Sequence, residues 1–302
     1  MTGSLLLIVS YISIVLFFAV IIHKAVKIAR MPHHLRWELA PIPHEKGKGH
    51  YGGSYLEEYE WWTKPREKSL VSEAIYLFKE IVLLKGVWKN NRKLWYCSFP
   101  FHFGMYLLIG MAFFLVIDAI GGLVGITQRG VFGPIIKVLA TAGFIVAAVG
   151  AISLIASRLI DSNLRKFNTG GTFLNLFFLL AVFLTGLVSL ISISDFSNEM
   201  TRFVGAVFTL DASVALPGII TLHCLVGLLF LAYLPFTRML HFVAKYFTYH
   251  EVRWNDVPMA GNERMQKDIE KLLSQPVTWA APHLNADGKK NWVDIATEEI
   301  KL

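Results

Sequence analysis

Three histidines inside apolar sequence carry the chemistry available to this chain. His223 lies within Leu216–Phe247, LPGIITLHCLVGLLFLAYLPFTRMLHFVAKYF, and His241 follows Arg238 near its end. The two are 18 residues apart. On one continuous helix that spacing is five turns, so they share a face roughly 27 Å apart. Gly227, Phe230 and Leu234 fall on the same stripe, where a glycine admits a flat ligand. The third, His102, sits in FPFHFGMYLLIGMAFF, two residues before Gly104. Ionisable side chains within a bilayer are costly and mark function. Two neutral imidazoles from neighbouring helices at one depth are what a low-spin b haem requires, so His102 and His241 are the expected iron ligands. Arg238, within a turn of His241, either pairs with a haem propionate or snorkels to the interface.

Those residues need helices to hold them, and the composition supplies helices of one kind. The chain has 302 residues, 54% hydrophobic and 17% charged, with mean hydropathy +0.50. This is an integral membrane composition. Five apolar runs are long enough for a ~30 Å hydrocarbon core: about Ser4–Ile22, Trp95–Ile120, Val131–Ala156, Phe173–Ile193, and the His223 segment. Phe99-Pro100 is expected near the start of the second helix and Gly121-Gly122 at its close. The fold class is therefore all-α, a five-helix membrane bundle. Its expected divisions are a first helix (1–23), a long loop (24–94), a four-helix haem-binding region (95–245) and a tail (246–302).

The net charge of +7 is divided by the apolar spans, so it reports topology rather than nucleic-acid binding. The loop from Lys24 to Leu94 carries 14 Lys and Arg, the third-to-fourth connection has Arg158, Arg165 and Lys166, and the tail after Pro235 has nine. The two other connections hold only Arg129 and Arg202. The asymmetry places the N-terminus outside, and the long loop and C-terminal tail in the cytoplasm. The first span lacks a basic leader region and reads as an uncleaved helix. With two cysteines, Cys97 and Cys224, and no CxxC or CxxCH, iron–sulfur clusters and covalently attached haem are not expected in this chain.

Within the loop, residues 31–63 mix proline, glycine, aromatics and charge like an ordered docking surface, and residues 69–89 read as one amphipathic helix lying on the membrane. His33, His34, His44 and His50 match no metal-site spacing. The tail, with Trp254, Trp279 and Trp292, reads as an extension resting on a partner.

FHFG in the second span and PFTRMLH in the fifth, with His223 18 residues before His241, resemble the cytochrome b (gamma) subunit of respiratory nitrate reductase. The loop MPHHLRWELAPIPHEKGKGHYGGSYLEE is similar to a narrower branch, the membrane cytochromes b of the Tmc, Hme and Dsr redox complexes of sulfate- and sulfur-metabolising prokaryotes. The resemblance covers about residues 1–245. It implies a multi-pass subunit of the prokaryotic inner membrane that oxidises (or reduces) menaquinol. Electrons would pass through b haem to or from a cytoplasmic iron–sulfur subunit of heterodisulfide-reductase type. A periplasmic multihaem cytochrome c is the further partner it implies.

The family pattern places a second histidine ten residues after the first on the second helix, and this chain has Ala112 there. His223 then lacks its family partner, so a second haem on His223 stays open. Met105 is too near His102 to serve instead, and Met111 faces away from the His102 stripe. The vacated space is an alternative place for quinol, with His223 as proton acceptor, Asp118 carrying the proton outward, and Lys137 bonding a quinone oxygen. Lys137 and Asp118 have plainer readings as a snorkelling cation and a loop cap. A haem-free anchor for a soluble redox enzyme is the competing function. A transporter would show helices broken at mid-bilayer.

Overall fold

The computed structural model describes residues 3–30, 58–64, 69–126, 129–248, 263–281, 283 and 285–298. The histidines His33, His34, His44 and His50, Trp254 and most of the expected docking surface lie outside them. The described chain is helical apart from one two-residue hairpin: α1 (Gly3–Ala29), α2 (Leu70–Ile81), α3 (Lys85–Asn90), α4 (Arg92–Leu123), α5 (Arg129–Ile160), α6 (Ser162–Arg165), α7 (Gly170–Ser192), α8 (Phe196–Thr209), α9 (Gly218–Tyr233), α10 (His241–Thr248), α11 (Glu263–Leu273) and α12 (Trp292–Thr297). Among the described residues five helices are long and apolar enough to cross a membrane: α1, α4, α5, α7, and α9 with its continuation to Phe236.

The chain forms two compact units that follow packing rather than sequence order: 1–21 with 77–240, and 22–76 with 241–302. In the first, α4 packs on α5, α5 on α7 and α7 on α9, while α8 contacts both α4 and α5. The two ends of this row, α4 and α9, are not packed side by side. Small residues set the α4–α5 seam. A Cβ on Gly150 would stand 2.2 Å from the Phe101 nitrogen, and one on Gly104 2.3 Å from the Ala147 nitrogen. Only glycine lets the two backbones approach so closely, which is how membrane helices gain packing without a hydrophobic drive. Phe144 and Ile136 fill the centre of the unit at 1% and 0% exposure. Leu7 of α1 packs on Ala206 and Val214, and the Tyr11 hydroxyl donates to the Val207 carbonyl.

Three expectations about local structure are corrected. Pro100 is inside α4, which starts at Arg92 and not at Trp95. The glycine that ends α4 is Gly125, with φ +76°, because that left-handed position favours a residue without a Cβ. The amphipathic stretch 69–89 is two helices, since Leu84 adopts a left-handed φ of 51° between α2 and α3. This elbow is held on α4: Trp95 Nε1 donates to the Leu83 carbonyl at 2.8 Å, and the Tyr106 hydroxyl to the Ile81 carbonyl at 2.8 Å.

In the second unit, β1 (Ala280–Ala281) and β2 (Ala286–Asp287) pair antiparallel. Trp279 and Trp292 meet edge to face at 5.9 Å, and a reciprocal Asn291–Asp294 capping box starts α12.

Candidate functional site

His102 is half-buried on α4. Its Nδ1 lies 2.8 Å from the Ser98 carbonyl oxygen and 3.3 Å from Ser98 Oγ. A carbonyl only accepts, so Nδ1 carries the proton and Nε2 carries the lone pair. That is the tautomer of an imidazole that ligates through Nε2, with the orienting bond on its other nitrogen. His102 shares its stripe with Ile109, Phe113, Val116 and Ile120, all of them exposed. The opposite face, with Phe101, Gly104, Met111 and Leu115, is buried. The helix therefore presents His102 away from the α5 seam. Gly104, two residues on, serves the seam rather than a ligand. Ala112 is exposed.

His223 is in the opposite situation. It is 7% exposed, its Nδ1 lies 3.2 Å from Thr185 Oγ1 on α7, and its ring meets Phe144 of α5 edge to face at 5.4 Å. Thr185 therefore supplies this buried imidazole with a hydrogen-bond partner from a neighbouring helix. Phe144 is itself pressed onto α7, where a Cβ on Gly186 would stand 2.3 Å from the ring. Four residues beyond His223, a Cβ on Gly227 meets nothing within 4 Å. This stretch of α9 has the open glycine that a flat ligand needs.

The fifth span is not one continuous helix, and this overturns the shared-face geometry of His223 and His241. α9 ends at Tyr233, 3-10 turns follow at Leu234–Phe236 and Arg238–Leu240, and α10 starts at His241. Pro235 has no N–H to donate and its ring clashes with the carbonyl four residues back, so the α-helix stops there. The run of ~100° steps from His223 is lost. The spanning helix ends at Phe236, and His241 is an exposed residue of the second unit. Arg238 is exposed in its 3-10 turn.

The remaining expected residues are each tied elsewhere. Asp118 is 6% exposed and accepts a 2.9 Å bond from Thr201 of α8, so it is no simple loop cap. Lys137 is on the exposed face of α5, beside the buried Ile136. Among the described residues no hydrogen bond joins any two of His223, Asp118 and Lys137. Sequence reasoning missed Thr185, Thr201 and the whole of α8. The capping Asp195 and the spacing of Phe196, Met200 and Phe203 signal that helix.

The donor set of the chain itself suits a b haem. It combines an imidazole in the ligating tautomer, an unsealed side between α4 and α9, and an open glycine on α9. Residues 88–257, more than half of the chain, match the family described as nitrate reductase gamma subunit. No curated protein matches the chain.

Proposed function

The chain belongs to the nitrate reductase gamma subunit family, and we propose that it oxidises menaquinol for a respiratory complex of the Tmc, Hme or Dsr kind. Members of this family are membrane cytochrome b-type subunits that work with other redox subunits in a complex. In the proposed reading the inner haem is ligated by His102 and His241, with Arg238 against a propionate. The observation that carries it is the 2.8 Å bond from His102 Nδ1 to Ser98, which presents Nε2 as the ligating nitrogen.

Menaquinol loses two electrons and two protons on oxidation. A bound b haem supplies one-electron transfer toward the partner. The chain's own residues must therefore hold the quinol and take its protons. His223 is the proposed acceptor, its ring oriented by the Thr185 hydroxyl oxygen at Nδ1. Asp118, held by Thr201, is the proposed outward carrier. Lys137 meets quinol arriving from the lipid on the exposed face of α5. The His223 ring is enclosed by Phe144 and Thr185, which favours one haem over two. The proposed partners are a cytoplasmic iron–sulfur subunit of heterodisulfide-reductase type and a periplasmic multihaem cytochrome c. The proposed location is the prokaryotic inner membrane, N-terminus outside.

His102→Ala and His241→Ala should each remove the low-spin haem absorbance while the chain stays in the membrane; full haem in both sinks the ligand assignment. His223→Ala should keep haem but lose its reduction by a menaquinol analogue. Loss of about half the haem makes His223 a ligand, and reduction at the normal rate makes it a packing residue.

A further inference from the structure

We propose that the cleft between the start of α4 and the end of α5 is a binding site for one phospholipid with a primary-amine headgroup, phosphatidylethanolamine. The cleft has a volume of about 530 Å³ and is lined by Asn91, Lys93, Ser153, Ile160, Asp161 and Leu164 among others. Its position fits a lipid rather than a soluble metabolite. Ile160 is the last residue of a spanning helix and is 81% exposed, so the cleft opens where acyl chains give way to headgroups. Leu164 of α6 extends that apolar wall beyond the span.

Its polar groups are sorted by sign. Asn91 Oδ1 caps α4 by accepting from the Leu94 nitrogen at 3.0 Å, so the amide is oriented with its NH2 as the remaining donor. Lys93, exposed two residues further on, adds an ammonium. Together these form a donor end suited to a phosphate. The other wall accepts. Asp161 Oδ1 caps α6 by accepting from the Asn163 nitrogen at 2.8 Å, and Oδ2 remains for a cation. Ser153 donates its proton to the Val149 carbonyl at 2.7 Å, which leaves its oxygen as an acceptor.

A net anion such as phosphatidylglycerol satisfies Lys93 but offers the Asp161 carboxylate only neutral hydroxyl donors, weaker than an ammonium. Phosphatidylcholine carries a cation without an N–H. A zwitterion with a hydrogen-bonding ammonium matches the charge at both ends, which is how paired charges select one headgroup over another. A lipid wedged here joins the ends of α4 and α5 on the side of the bundle that carries the basic connections.

The test uses the full-length chain in nanodiscs of equimolar phosphatidylethanolamine, phosphatidylglycerol and phosphatidylcholine, with the retained lipid read by native mass spectrometry. The wild type should retain one phosphatidylethanolamine, enriched about tenfold over either competitor, the selectivity one charge-assisted contact confers. Asp161→Asn preserves the helix cap, since asparagine caps as well as aspartate, so it removes the charge without unwinding α6. It should abolish the preference over phosphatidylglycerol while leaving the thermal midpoint in detergent unchanged. Lys93→Gln should weaken retention of both phosphatidylethanolamine and phosphatidylglycerol. A wild type that retains lipids in their bulk ratio, or an Asp161→Asn variant with undiminished preference, overturns the proposal. Preferential retention of phosphatidylglycerol by the wild type overturns it as well and leaves a plain anion site.

Discussion

Gly104 and Gly227 each stand within four residues of an intramembrane histidine, yet they do opposite work. Gly104 is sealed: a Cβ there would be 2.3 Å from the backbone of α5. Gly227 is open, with nothing within 4 Å. The seam between α4 and α5 is backbone against backbone and has no room for a ligand, whereas α4 and α9 are not packed side by side. The lesson is that a glycine beside a functional residue is evidence of space only after its neighbours are known. The tight seam is a rigid wall that fixes the direction of His102.

The largest effect should come from breaking the seam. Gly150→Val would drive a side chain into the Phe101 backbone, 2.2 Å from its nitrogen. Overpacking of this kind costs about 3 kcal/mol or more. At this chain length that corresponds to a fall of roughly 6–12 °C in thermal midpoint. Differential scanning fluorimetry in detergent checks it, and an unchanged midpoint means that α4 and α5 are not in this register.

Gly227→Leu sharpens the other half of the comparison. The open surroundings predict a normally folded chain with most of its haem gone, measured by pyridine haemochrome against total protein. Full haem loading in that variant would place the ligand away from this part of α9.

A smaller effect separates the buried polar contacts from the exposed ones. Thr201→Val removes the donor to Asp118 and should cost about 1–3 kcal/mol, the penalty for a buried acceptor left unpaired. Lys137→Ala, on the exposed face, should stay within about 0.5 kcal/mol. Equal losses in the two thermal melts would contradict the burial assigned to Asp118.

The smallest expected change is at Ser98. Its carbonyl, not its hydroxyl, makes the short bond to His102. Ser98→Ala should therefore keep haem content at the wild-type level, whereas a loss comparable to that of His102→Ala would make the hydroxyl at 3.3 Å the orienting group.

Composition and run length determined that this is a five-span all-α membrane protein, because crossing an apolar slab demands long uninterrupted apolar helices whatever their neighbours. The histidines proposed as iron ligands stood out in the sequence as well, since a histidine inside or beside such a run is rare and costly. The family resemblance likewise rested on residues visible in the chain. The break at Pro235 was written there too, as a proline within a helical pattern, and it cancels any facing argument that counts turns from His223 to His241. Tertiary structure alone decided where side chains point and what they meet. Periodicity places His223 on a stripe, but only the packing of α5 and α7 brings Phe144 and Thr185 to its ring. Asp118 read as a possible loop cap until α8 supplied Thr201 from 83 residues away in sequence. Gly104 has a role only because Ala147 is packed against it. Contacts between distant segments depend on how helices pair, and in a membrane that pairing turns on ångström-scale steric fit between surfaces that are all equally apolar.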